Sequence, residues 1–129
     1  MGGTLAALFL EGCSNTKIIP GVISNSDLVV PLSAFSTKGG GYRKYVVVQN
    51  ERLNYPICLY RHSEKQYAAL LMRCTHQGTE LQVFGDRLQC PAHGSEFNNR
   101  GVVQNGPADT DLRTFPVTIQ PNQINISLK

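Results

Sequence analysis

Two short polar segments constrain this chain more than anything else in it: Cys74-Thr75-His76-Gln77-Gly78 and Cys90-Pro91-Ala92-His93-Gly94-Ser95. Together they read C-x-H-x13-C-x2-H. Each follows a β-prone run, and Gly85-Asp86 between them suits a tight hairpin turn. A hairpin brings its ends together, so Cys74, His76, Cys90 and His93 are expected to converge at one tip. Two thiolates and two imidazoles suit either zinc or an iron–sulfur cluster.

The remaining pattern favours strands. The chain has 129 residues, enough for one domain with little left over. Short runs rich in Val, Ile, Thr, Tyr and Phe alternate with Gly- and Pro-bearing turns, and no stretch has helical periodicity for more than a turn or two. Strands are expected at 28–32, 42–49, 57–61, 66–72, 81–84, 87–90 and 114–120, with a last alternation through Ile124, Ile126 and Leu128. The predicted class is all-β, a small antiparallel architecture with the two ligand loops at its tip. Cys58, in an apolar run, is expected in the core. His62 lies in a polar turn and reads as a solvated surface residue. Asp109 and Asp111 read as an exposed acidic loop. The formal charge is +3 and the cations are scattered singly without interleaved aromatics, so no nucleic-acid footprint is present.

The first residues have a different character. A small apolar run ends in Leu10-Glu11-Gly12-Cys13, followed by polar Ser14-Asn15. The order resembles a bacterial lipobox, in which the cysteine is lipidated and begins the mature chain. Residues 1–13 are therefore read as a signal-like segment with Cys13 as the lipidation site. Residues 14–26 are read as a tether with two apolar patches that pack on the domain, and 27–129 as the folded domain. Glu11 departs from the small residue expected there, and no Lys or Arg precedes the run. The expectation is that the natural chain begins further upstream, with an Arg-Arg pair serving export of a folded protein.

The two loops, CTHQG and CPAHGS, resemble the signature of the Rieske family. Gly106-Pro107-Ala108 further resembles the proline loop that covers the cluster in respiratory Rieske proteins. The resemblance implies one [2Fe–2S] cluster per chain, with Cys74 and Cys90 on the buried iron and His76 and His93 on the outer one. Neutral imidazoles in place of two thiolates raise the potential from roughly −400 mV to between about −150 and +300 mV. Ser95 matches a serine that hydrogen-bonds a cluster sulfur in high-potential members, whereas Phe97 stands where those members have tyrosine. Thr79 and Ala92 occupy the positions of a bracing disulfide, which is therefore absent. A structural Cys2His2 zinc module is the alternative metal reading, although zinc modules more often pair ligands as C-x2-C and H-x3-H.

Among Rieske proteins, the resemblance fits a membrane-tethered electron-transfer subunit on the extracytoplasmic side, serving a respiratory or oxidase-type complex. A quinol-linked subunit, a cytochrome or an oxidase would dock at the His76/His93 tip, and Cys13 would attach the chain to the membrane. A soluble ferredoxin feeding an oxygenase is the second reading. A complete ring-hydroxylating oxygenase would need a further iron site on two histidines and a carboxylate. The chain has only His62 to spare, and no length for that domain.

Overall fold

The computed structural model describes residues 16–129. In chain order its strands are β1 (Ile18–Pro20), β2 (Val22–Ser24), β3 (Asp27–Pro31), β4 (Tyr45–Gln49), β5 (Ile57–Arg61), β6 (Tyr67–Leu71) and β7 (Gln82–Phe84). They continue with β8 (Arg87–Gln89), β9 (Glu96–Asn98), β10 (Val103–Asn105), β11 (Thr114–Phe115), β12 (Val117–Ile119) and β13 (Gln123–Ser127). A single 3-10 turn spans Leu32–Phe35. The fold is all-β, as expected, and its ladders are antiparallel except where β1 runs parallel to β4.

Three sheets form two lobes. The central sheet has the order β1-β4-β5-β6-β11, the base sheet β12-β13-β3-β2, and the small sheet β10-β9-β8-β7. The runs YVVVQ and ICLYR are buried along most of their length, because the central sheet has protein on both faces. Val46, Val48, Ile57 and Leu59 point into the base core with Leu28, Val30, Ile124 and Ile126. Their neighbours Val47, Cys58, Tyr60 and Leu70 point the other way, into a second core with Leu81, Leu88, Phe97, Cys74 and Cys90. Strand alternation thus divides one sheet between two cores, and the second core seats the ligand cysteines. Cys58 is buried there as expected.

Three expectations are corrected in detail. Residues 18–24, read as part of a tether, form β1 and β2. The apolar patches do pack on the domain, but as strands: Ile19 enters the base core while Ile18 and Val22 stay exposed. The single strand expected at 114–120 is two strands. Pro116 lacks an N–H for the ladder, and the chain changes sheets there, from β6 to β13. His62 is half-buried rather than solvated, its Nε2 lying 3.1 Å from the Asn99 carbonyl oxygen and its ring stacked on Tyr60. Cys13 and the lipobox-like run lie outside the described residues.

Candidate metal centre

The two ligand loops are built on one plan. The isolated antiparallel bridge Arg73↔Glu80 closes the first, residues 74–79, and the pair Gln89↔Glu96 at the end of β8 and β9 closes the second, residues 90–95. In the first loop the Cys74 N–H donates to the Thr79 carbonyl at 2.8 Å, and the Gly78 N–H donates back to the Cys74 carbonyl at 2.8 Å. In the second the Cys90 N–H donates to Ser95 at 2.8 Å and the Gly94 N–H to Cys90 at 2.9 Å. Gly78 and Gly94 hold φ of 79° and 80°, the left-handed region that a side chain resists. Between the loops β7 and β8 pair through Gly85, whose φ of 58° has the sign needed at the first central position of a type II′ turn.

This plan separates the four predicted residues by depth. Cys74 and Cys90 are buried at the loop bases, whereas His76 and His93 stand exposed at the tips. The two imidazoles meet edge to face with ring centroids 5.3 Å apart. Burial alone would push the Cys90 thiol up. The backbone N–H groups of His93 and Ala92, with the side chains of Cys74 and Thr79, point at its sulfur and hold it below its ordinary value. A sulfur ringed by donors suits a thiolate ligand. Cys58 is the contrast: burial pushes its thiol far up, which marks a packing residue. Among the described residues no three His, Cys, Asp or Glu side chains close on a single-ion position, as a mononuclear zinc site requires. The pairing of inner sulfurs with outer imidazoles fits a two-iron group instead.

Other contacts fix the loops in place. Ser95 is fully buried, and its Oγ accepts the Ala108 N–H at 2.9 Å, so the loop bearing Gly106 and Pro107 is clasped to the second ligand loop. Having accepted there, the Ser95 hydroxyl keeps its own proton free to donate. Phe97 is fully buried and adds no hydroxyl. Two further residues escaped the sequence reading. The Tyr55 hydroxyl donates to the Gly78 carbonyl at 2.6 Å, and the Thr75 hydroxyl donates to the Thr110 carbonyl at 2.6 Å. Both contacts join segments far apart in sequence, and no spacing rule exposes them. Asp109 is exposed, as expected; Asp111, also exposed, accepts the Val103 N–H at 2.9 Å and so anchors the turn it was expected only to decorate.

Residues 36–116 match the family model described as the Rieske [2Fe-2S] domain, and the chain belongs to that family. It therefore carries one [2Fe–2S] cluster and transfers electrons through it. It is 36% identical over 75 residues to the oxygenase component of dicamba O-demethylase from Stenotrophomonas maltophilia, covering 50% of this chain and 22% of that one. It is 33% identical over 60 residues to cytochrome b6-f complex iron-sulfur subunit 2 from Nostoc sp., covering 45% of this chain and 34% of that one. The chain thus spans about a fifth to a third of the length of these curated relatives. Among solved structures it resembles the cyanobacterial plasma membrane Rieske protein PetC3 from Synechocystis PCC 6803, with a TM-score of 0.56 and 26% identity, covering 65% of this chain and 86% of that one.

Proposed function

We propose that this chain is the electron-transfer domain of a membrane-tethered subunit serving a respiratory or oxidase-type complex, anchored on the extracytoplasmic side through Cys13. The observation that carries the reading is the clasp between Ser95 and Ala108, which joins a buried hydroxyl to the Gly106-Pro107 loop. The likeness to a plasma membrane Rieske protein over most of that protein's length supports it. Delivery of electrons to an oxygenase is the second reading, favoured by the identity with the Rieske part of an oxygenase component.

When bound, the cluster takes up and gives back one electron at a time. Cys74 and Cys90 would hold its inner iron and His76 and His93 its outer one. The buried thiols would fix the group within the second core, and the exposed imidazoles would offer the short path to a docked partner. The ring nitrogen of each histidine that faces outward can hold a proton or donate to the partner's acceptor. The loop carrying Gly106 and Pro107 would keep water from the inner side. The Ser95 hydroxyl, which accepts the Ala108 N–H, would have its own proton to donate as a hydrogen bond to a cluster sulfur.

A hydroxyl that stabilises the more negative, reduced form raises the potential. The test is a redox titration of wild type and Ser95→Ala, with the mass of the native N-terminus. We expect Ser95→Ala to lower the midpoint by about 60 mV, equivalent to about 1.4 kcal/mol for a one-electron couple, and Cys13 to be the acylated first residue. An unchanged midpoint, or a native protein that is unacylated and fractionates as soluble, would move the assignment to the ferredoxin reading.

A further inference from the structure

The cations that look scattered in sequence are gathered by the fold. Lys38 lies in the Gly-rich loop between Ser36 and Tyr42, which bridge each other across its neck. Arg43 and Lys44 follow directly and lead into β4. The Arg61 N–H donates to the Lys44 carbonyl at 2.8 Å, so β5 ends beside β4's beginning, and Lys65 sits in the turn that joins β5 to β6. Five cations thus share one end of the central sheet, with Glu64 in the same turn as Lys65 and Asp86 in the hairpin turn that the Tyr60 hydroxyl contacts. Lys38, Lys44 and Lys65 are exposed, Arg43 and Arg61 are half-buried with the Arg43 Nε itself out of solvent, and none of the five is ion-paired among the described residues. Like charges placed together in this way repel and weaken the fold unless something answers them.

Two further observations concern the same end. Tyr42 is 61% exposed, and the Arg61 guanidinium lies 4.0 Å from its ring centroid. An exposed tyrosine beside several cations has the composition of a membrane–water interface, where the ring sits at headgroup level. The chain also enters the domain here. The Thr16 hydroxyl lies 3.3 Å from that of Tyr45, the first residue of β4, and the Val47 N–H donates to the Lys17 carbonyl at 2.8 Å. The ligand loops lie at the other end of β6, about 17 Å away for a five-residue strand.

We propose that the pole formed by Lys38, Arg43, Lys44, Arg61 and Lys65 with Tyr42 seats on an anionic lipid surface, and that His76 and His93 then face away from the bilayer. Its orientation rests on the reading of the chain as membrane-tethered, because Thr16, the first described residue, lies at this same pole. The attraction would come from the lysines and arginines near anionic headgroups, and salt would weaken it.

Co-sedimentation of the cluster-loaded full chain with phosphatidylcholine vesicles, with and without a third of phosphatidylglycerol, tests this. The triple variant Lys38→Gln, Lys44→Gln, Lys65→Gln changes exposed side chains only, and an unchanged visible spectrum verifies its fold. Wild type should favour the anionic vesicles, lose that preference in high salt, and bind them roughly tenfold or more better than the variant. Vesicle-bound wild type should still be oxidised by a soluble oxidant at its free rate. Equal binding to both vesicle types, unaffected by the substitutions, would overturn the proposal while leaving anchoring through segment 1–15 intact. Salt-sensitive retention on an acidic protein with no vesicle binding would also overturn it, as would a tenfold drop in oxidation rate on vesicles. Acylation of Cys13, read by mass, reports on the tether independently of all these outcomes.

Discussion

Loop 74–79 and loop 90–95 share a length, a closing antiparallel pair and a left-handed glycine, yet different outside contacts hold them. The first is tied at two points to distant chain: Tyr55 holds the Gly78 carbonyl, and Thr75 reaches the Thr110 carbonyl. The second is tied through its last residue, where Ser95 takes the Ala108 N–H. The histidines also differ in position, two residues after Cys74 but three after Cys90. That one-residue offset stops two equivalent frames from presenting equivalent imidazoles, and the rings meet edge to face. The backbone frame is therefore local, written in the glycine and the loop length, while the placement of each loop depends on contacts from elsewhere.

Removing a ligand from either loop should have the largest effect. Cys74→Ser and Cys90→Ser should each abolish the visible spectrum of the cluster, as should His76→Ala and His93→Ala. Cys58→Ser should keep the spectrum and cost only core stability. A spectrum that survives Cys74→Ser but vanishes with Cys58→Ser would reverse the assignment.

Alanine at the two glycines tests whether the frames are equivalent. Each substitution forces a side chain into the left-handed region, at a cost of roughly 1–2 kcal/mol. A Cβ on Gly94 would meet nothing within 4 Å, whereas one on Gly78 would come within 3.2 Å of the Arg73 guanidinium. That end of Arg73 is flexible and exposed, so the two losses measured by denaturant unfolding should agree closely. A Gly78→Ala loss twice that of Gly94→Ala would mean Arg73 is a fixed part of the first loop.

The thiols sharpen the contrast between loop and core. Cys58 has an ordinary value of 9.0, and burial raises it in the folded state. Below about pH 9 both folded and unfolded chains keep that proton, and its contribution to stability is constant. Above it the unfolded chain releases the proton first, so this thiol should lower stability by about 1.4 kcal/mol per pH unit, and Tyr60, likewise raised by burial from an ordinary 10.0, steepens the fall above that pH. Urea unfolding at mildly and strongly alkaline pH measures this, and Cys58→Ala should flatten the slope. In cluster-free folded protein Cys90 should alkylate well before Cys58.

The smallest effect is expected from Tyr55→Phe. It leaves the ring in place and removes one hydrogen bond to the Gly78 carbonyl, worth about 1 kcal/mol. Hydrogen exchange should quicken at Gly78 and Cys74 and stay unchanged at Gly94 and Cys90. Equal quickening in both loops would show that the second leans on the first.

What the sequence disclosed follows the same division. The β7–β8 hairpin and the meeting of the His76 and His93 rings at one tip were legible because ligand spacing and turn chemistry are local signals. The strands β5 and β6 were legible to within a residue or so from their apolar runs. β1, β2, β9 and β10 were not, since each has three residues and carries little alternation to read. The parallel pairing of β1 with β4 joins segments too far apart for any local pattern. Tyr55, Thr75 and the half-buried His62 belong with these, because their partners come from other parts of the chain.

The chain leaves the central sheet at the end of β6 and rejoins it as β11, and Thr114 pairs directly with Leu70 on that same strand. Everything between, including both ligand loops, is thus an insertion whose two ends emerge side by side. Such an arrangement is modular. The base sheet need not repack when the inserted part is lengthened or retuned, but the outer face of the central sheet must, because Cys58, Tyr60 and Leu70 share a core with Leu81, Leu88 and Phe97 and the Tyr60 hydroxyl donates to the Gly85 carbonyl at 2.7 Å. Thr79 and Ala92, which stand at the positions of the bracing disulfide, are a change confined to the insert, since neither belongs to the core that the central sheet shares with it.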